Sequence, residues 1–158
     1  MSFPTWRTLK LRTYQTVADF RAAITASGAK ISPWAEELLK SEEFRLTRQE
    51  EEVELEVVSN ADLGRPDGCE FQETVRLAAE RGLYPCPKDT GPQLREAYRD
   101  QPLGEWLIVV SEPISDADGN PGVFDVGHGS AGRLLCRDYA DPATFGDGGL
   151  RFVFRRRK

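Results

Sequence analysis

The stretch WLIVVSEPISDADGNPGVFDVGHGSAGRLLCRDY, residues 106–139, decides the predicted fold class of this chain. Short apolar runs alternate with turn-forming clusters at intervals of roughly ten residues, a spacing typical of antiparallel strands. A further β-like run, LRFVFRRR, follows a second turn-rich segment near the C-terminus. We therefore predict an antiparallel β-meander in the last third of the chain.

The first two thirds carry helix signals. Thr16 and Ser32 are N-cap residues in front of amphipathic runs, and Pro33 occupies the first helical position of the second run. EFQETVRLAAERG predicts a third helix, and QLREAYRD predicts a fourth that starts at Pro92. LKLRTY and EEVELEVVS alternate in polarity and predict strands. The fold class is α+β, with short helices in the first two thirds packed on a C-terminal antiparallel β-meander.

Length and charge limit the classes of function. The chain has 158 residues, which predicts one globular domain over residues 1–158. Its formal net charge is −5, so it gains little from electrostatic attraction to phosphate groups. Nucleic acid is therefore an unlikely partner by charge. No apolar run approaches the roughly 20 residues of a membrane helix, and the N-terminus lacks a signal-peptide pattern. We predict a cytoplasmic protein with no membrane association and no cofactor.

The three cysteines, Cys69, Cys86 and Cys136, are widely spaced and odd in number. Such spacing is poor for a disulfide framework and lacks the close ligand pairs of zinc sites. We predict buried free thiols and no metal site.

Residues 127–132, GHGSAG, match the G-x-G-x-x-G spacing of dinucleotide-binding loops. The match lacks a helix of adequate length after it and a second βαβ half, so the glycines indicate a hairpin turn instead. His128, the only histidine, is then an exposed turn residue, with a catalytic role as the alternative.

The turn DADGN contains Asp116, Asp118 and Asn120, which resemble the start of a calcium loop. The glycine and glutamate that such a loop requires later are absent, so a turn is favoured over a cation site.

Glu105 and Trp106 form an acid–aromatic pair, which raises the possibility of a carboxyl group with a raised pKa or a sugar-facing wall. Simple strand alternation explains the same pair. Trp6 and Trp34 are assigned to the core. The terminal cations Arg155, Arg156, Arg157 and Lys158 form a solubilising end, with phosphate binding as the alternative.

Two phrases carry a resemblance. D-Q-P-x-G-E-W at residues 100–106 and S-D-A-D-G-N-P at residues 115–121, together with the closing FVFRRRK, resemble a family of small uncharacterised bacterial proteins. The likeness extends back to the TVADFRAAI helix. It implies one compact unit in bacteria and assigns no role to any residue.

The absence of a complete catalytic, metal or phosphate-loop signature favours a non-catalytic cytoplasmic binding or accessory protein, most simply one with a protein partner. The first alternative is a small hydrolase or transferase in which Glu105, Asp116, Asp118 and His128 converge at the polar turns of residues 116–132. The second alternative is a weak nucleic-acid binder that uses the C-terminal RRRK.

Overall fold

A computed structural model describes residues 5–156. The described residues form four helices: α1 (Val17–Ala26), α2 (Pro33–Lys40), α3 (Phe71–Glu80) and α4 (Thr90–Ala97). They also form the strands β1 (Arg7–Leu11), β2 (Lys30–Ile31), β3 (Glu51–Ser59), β4 (Cys69–Glu70), β5 (Leu83–Tyr84), β6 (Trp106–Val109), β7 (Ile114–Ser115), β8 (Pro121–Gly129), β9 (Gly132–Tyr139), β10 (Phe145–Gly146) and β11 (Arg151–Arg156).

The large sheet is mixed, and it contains β1, the first described strand, and β11, the last. Its main order is β1-β3-β11-β6-β8-β9-β2, with β5 paired to β11 and β7 paired to β8. The pairs β11–β6 and β9–β2 are parallel, whereas the other pairs are antiparallel. The α+β class is confirmed, but the C-terminal antiparallel meander is wrong. Strand β11 inserts between β3 and β6, a long-range choice that the spacing of turns does not encode.

The first two helices begin at their predicted caps. The backbone N–H of Asp19 donates to the Thr16 hydroxyl at 3.1 Å, and that of Ala35 donates to the Ser32 hydroxyl at 3.1 Å. Helix α4 begins at Thr90, ahead of the predicted start at Pro92.

Helix α2 places Ala35, Leu38 and Leu39 in the core and leaves Trp34 61% exposed. The prediction that Trp34 lies in the core is therefore wrong. Trp6 is partly buried and packs against the core.

The two faces of the sheet are covered unequally. One face, called here the three-helix face, contacts α1, α2 and α4 through a core that contains Phe20, Ile24, Leu38, Leu94, Leu107, Phe124, Val126, Leu135 and Val153. The other, called the one-helix face, packs against α3 through Val58, Leu77, Ala78, Ile108, Val123, Phe152 and Phe154.

Strand β8 contributes to both faces because successive side chains point to opposite sides of a sheet. Phe124 and Val126 belong to the core of the three-helix face, and Val123 belongs to the core of the one-helix face. By this alternation Asp125 and Gly127 also lie on the one-helix face.

None of the helices in residues 5–156 is long and apolar enough to cross a membrane.

Candidate functional site

The glycine motif is a hairpin. Strands β8 and β9 pair up to Gly129 and Gly132, and Ser130 and Ala131 form the turn between them. Gly132 has φ +108°, a conformation that favours glycine. The prediction of a turn is confirmed, since a strand rather than a phosphate-binding helix follows it.

The first glycine of the motif has a packing role. Gly127 lies opposite Trp106 in the sheet, and the Trp106 ring lies directly over it, so that an added Cβ would collide with the ring. The ring also approaches Gly129, where an added Cβ would lie 3.2 Å from it. Glycines at these positions allow Trp106 to pack flat on the strand while remaining 43% exposed.

Arg95 lies at the centre of a buried hydrogen-bond group, called here the arginine network. Its side chain is 0% exposed. One terminal nitrogen donates to Gln101 Oε1 at 2.6 Å, to Gly127 O at 2.9 Å and to Leu134 O at 3.3 Å. The other donates to Tyr98 O at 2.6 Å. Burial lowers the pKa of Arg95 to about 10. The side chain therefore joins α4 to the ends of β8 and β9.

Glu105 and His128 belong to the same network. The Tyr98 hydroxyl donates to Glu105 Oε1 at 2.8 Å, and His128 Nδ1 lies 2.7 Å from Gln101 O. His128 lies on β8 and is half-buried, so its prediction as an exposed turn residue is wrong. Burial and the Glu105 carboxylate raise the pKa of Tyr98 to about 12. These contacts hold the loop between α4 and β6.

The side chain of Asp116 stabilises the DADGN turn from within. Asp116 Oδ1 accepts the backbone N–H groups of Asp118 and Asn120, each at 2.9 Å. Asp116 Oδ2 pairs with Arg137 at 2.6 Å, and both side chains are buried. The backbone hydrogen bond from Asn120 and the Arg137 guanidinium hold the pKa of Asp116 below its usual range. Asp118 and Asn120 are exposed.

The polar turns do not meet. The DADGN turn precedes β8 and His128 lies near the end of that strand, so roughly 27 Å of extended chain at about 3.4 Å per residue separates the two ends. The structure thus brings Glu105 and His128 together but leaves Asp116 and Asp118 elsewhere. They do not form the shared cleft that the hydrolase alternative requires.

The C-terminal cations are partly accounted for by strand β11. Arg156 pairs with Glu56 at 2.5 Å, and burial raises the pKa of that glutamate. Arg155 is half-buried and lies opposite Tyr84 of β5. Arg157 and Lys158 lie outside the described residues, so phosphate binding by the tail stays a prediction.

A different group of polar residues occupies the one-helix face. Asp125 of β8 and Asp138 of β9 lie on this face, with Cys136 directly opposite Asp125. Asp125 is 8% exposed, and no described residue donates a hydrogen bond to its Oδ1. Its polar neighbour is the carboxyl of Asp138, so a hydrogen bond between them requires one of the two to hold a proton. We call these two residues the carboxyl pair.

Burial places that proton on Asp125. Desolvation is the larger cause and the Asp138 carboxylate the smaller, and together they raise the pKa of Asp125 far above its usual range. The site therefore places a protonated Asp125 beside a second carboxyl.

Other buried acids in the described part of the chain have donors. Glu56 pairs with Arg156. Asp89 accepts the backbone N–H of Thr47 at 2.7 Å, the Thr47 hydroxyl at 2.8 Å and the Gln93 amide at 3.2 Å. Asp125 differs from both because its partner is another acid.

A cavity of about 90 Å³ opens beside Asp138, whereas Asp125, the hydrogen-bond partner of Asp138, is not among the residues that line it. Asp138 lines it, and its walls are mainly apolar: Phe71, Ile108, Phe145, Leu150 and Phe152, with Cys69, Thr74, Tyr139, Thr144 and Gly146. We call the cavity and the carboxyl pair together the carboxyl-pair pocket. Tyr139 and Phe145 both line the cavity and are 63% and 64% exposed, but the Tyr139 ring is occupied by Arg137, so the Phe145 ring is the one free to meet a ligand.

Two thiols lie near the cavity or the carboxyl pair. The Cys69 thiol lies 3.4 Å from the Thr74 hydroxyl. Burial and the neighbouring carboxyls raise the pKa of Cys136. All three cysteines are free, but only Cys86 is buried, so the prediction of burial is wrong for Cys69 and Cys136. Among residues 5–156 no cluster of three or more histidine, cysteine or acidic side chains could hold a metal ion.

A larger cavity volume does not by itself mark a candidate binding site in this protein. A groove of about 810 Å³ runs between residues 13–17 and 44–48. Two of its polar side chains have partners: Tyr14 donates to Glu96, and Thr47 donates to Asp89. That groove contains no buried acid without a donor.

The sequence analysis did not select the carboxyl pair. One signal was present, because Asp125 interrupts the apolar run VFDV in a strand whose neighbours are hydrophobic. An acid at an inward position of such a strand needs a partner or a function.

No family model, curated protein or solved structure matches this chain. The resemblance to a small bacterial family stays a prediction.

Proposed function

We propose that this chain is a non-catalytic binding protein whose ligand enters the carboxyl-pair pocket. The observation that carries the proposal is Asp125, an acid 8% exposed whose Oδ1 receives no hydrogen bond from the described residues. Burying a polar group without a partner costs about 1–3 kcal/mol. A ligand that donates a hydrogen bond to Asp138, the carboxyl of the pair that lines the cavity, recovers part of this cost as binding free energy.

The pocket is suited to part of a ligand. Cavities of about 150 Å³ admit a benzene ring, so a space of about 90 Å³ accepts a smaller head group. The remainder of the ligand would lie across the mouth, where the exposed ring of Phe145 offers apolar surface.

The same proposal includes a bacterial cytoplasmic setting. Three free cysteines fit a reducing compartment, in which disulfides are rare. A protein partner that inserts one side chain into the pocket is compatible with this function, and so is a small free ligand.

A fragment screen followed by amide NMR tests the proposal. Fragments should shift the amides of Cys69, Asp138 and Phe145, and the Asp125→Asn variant should lose at least tenfold in affinity for the same fragments. Asp118→Asn, the same change at an exposed turn, is the matched control and should bind normally. Fragments that bind elsewhere, or bind both variants equally, contradict the proposal.

General acid–base catalysis at the same pair is a second candidate. A protonated carboxyl beside a second carboxyl supplies an acid and a base at a single site, as such chemistry requires. Turnover of any hydrolase or transferase substrate that Asp125→Asn and Asp138→Asn each reduce by more than about a hundredfold would replace the binding proposal with this one.

A further inference from the structure

We infer that the carboxyl-pair pocket receives a cationic head group, an ammonium or a guanidinium, which lies against Asp138 and the ring of Phe145. This inference rests on the proposed binding function and specifies the chemistry of the ligand.

Charge is the first argument. With one shared proton the carboxyl pair keeps a negative charge, and the interactions that affect Asp125 are desolvation and Asp138, without a contribution from a described cation. Elsewhere this protein neutralises buried acids with arginine, as in Glu56–Arg156 and Asp116–Arg137. The pocket lacks the cation that those two sites contain.

The surroundings are the second argument. Apart from Asp138, the polar side chains that line the cavity belong to Cys69 of β4, Thr74 of α3, Tyr139 of β9 and Thr144, which precedes β10. These groups are neutral or acidic. Arg137, the basic residue between Cys136 and Asp138, points to the other face and is held by Asp116. A positively charged guest is therefore the electrostatic complement of the site.

The ring of Phe145 is the third argument. Aromatic faces attract cations by about 0.5–2 kcal/mol, depending on how well the pair is shielded from water. The Tyr139 ring already accepts the Arg137 guanidinium at 4.8 Å from its centroid. Phe145, 64% exposed and lining the cavity, offers a second ring to a cation that enters the pocket.

Size restricts the guest to a head group. A space of about 90 Å³ holds a guanidinium or a primary ammonium but not a whole amino acid. The head group can belong to a free amine or to an arginine or lysine side chain of a peptide. The chemistry at the carboxyl pair is the same in both cases.

Binding of a cation must release a proton. The cation at Asp138 stabilises the ionised form of the neighbouring Asp125 as well, so Asp125 gives its proton to the buffer. Affinity should therefore rise with pH, and the heat of binding should depend on the ionisation enthalpy of the buffer. A neutral guest leaves the proton in place.

Calorimetric titration of the whole chain tests the inference with three probes: butylguanidinium, butylammonium and the neutral 1-pentanol. We expect both cations to bind and to release up to one proton, as measured by paired titrations in phosphate and Tris buffers. Their affinity should be at least threefold higher at pH 8 than at pH 6.5. Asp125→Asn should weaken cation binding at least tenfold and abolish the proton release. Asp118→Asn should do neither, and thermal unfolding verifies that both variants are folded.

The outcomes separate the two proposals. If 1-pentanol binds in the pocket as tightly as the cations, the cationic guest is wrong and the binding function stands. If neither these probes nor the fragments perturb the pocket, both are wrong. A capped pentapeptide with a central arginine, compared with its alanine version, identifies the source. Binding more than tenfold tighter than butylguanidinium assigns the head group to a peptide, and equal binding assigns it to a small molecule.

Discussion

Arg95 and Asp125 are buried ionisable groups on opposite faces of one sheet, and their surroundings differ. Arg95 lies against the three-helix face and donates to four oxygen atoms of its own chain. Asp125 lies on the one-helix face, where its polar neighbour is a second acid. The fold satisfies the terminal nitrogens of Arg95, although its Nε has no partner among the described residues, whereas Oδ1 of Asp125 receives no hydrogen bond and its polar neighbour is another acid.

This difference separates structural polar groups from candidate binding groups. A buried charge whose hydrogen bonds are met within the chain stabilises a particular geometry, as Arg95 does for the loop that contains Gln101 and Glu105. A buried acid without a donor costs stability, and a protein that retains one keeps a position for something else to bind.

The largest expected effect comes from removing the guanidinium of Arg95. Arg95→Met removes the donor from Gln101, Tyr98, Gly127 and Leu134, which leaves buried acceptors unpaired. We expect the free energy of unfolding to fall by about 3–5 kcal/mol. Urea denaturation measures it, with the exposed Arg99→Met as the control. A loss below about 1 kcal/mol would show that the network is dispensable.

Substitution of Asp125 should raise the free energy of unfolding, whereas substitution of Arg95 should lower it. The folded protein holds the Asp125 proton to a higher pH than the unfolded chain does, so the free energy of unfolding falls as pH rises above about 4. Asp125→Asn removes this loss and donates to Asp138. We expect a gain of about 2–3 kcal/mol at pH 8 that disappears near pH 4.

Thermal unfolding across that pH range measures the gain, and Asp118→Asn supplies the baseline. A pH-independent difference between Asp125→Asn and the parent chain would show that Asp125 is ionised in the folded state.

A smaller effect should follow from Gly127→Ala, next to the carboxyl pair on the same face. The added methyl displaces the Trp106 ring, and overpacking of this kind costs about 1–2 kcal/mol. Tryptophan fluorescence should shift to longer wavelength as the ring moves into water. Gly129→Ala, where the ring can yield by a few tenths of an ångström, should cost less. Equal costs at the two positions would contradict the described packing.

Local structure followed from the sequence where short-range physics decides it. The caps at Thr16 and Ser32 and the strand at Glu51–Ser59 each depend on neighbours within a few residues, and the structure confirms them, although Glu56 of that strand is buried and not solvated. The candidate site depends on contacts between distant segments, which local sequence patterns do not predict. Asp116, Asp118 and His128 attracted attention because polar residues cluster near them in the chain, yet the structure pairs Asp116 with Arg137, places His128 beside Gln101 and leaves Asp118 exposed.

By itself, the sequence determined the α+β class, the caps of the first two helices and the hairpin at residues 127–132. Only the tertiary structure decided that β11 pairs in parallel with β6, that Trp34 lies outside the core, and that Asp125 faces Asp138. The physical reason is that pairing across a sheet depends on contacts between distant segments. Whether a buried acid meets an arginine or a second acid is settled only when those segments come together.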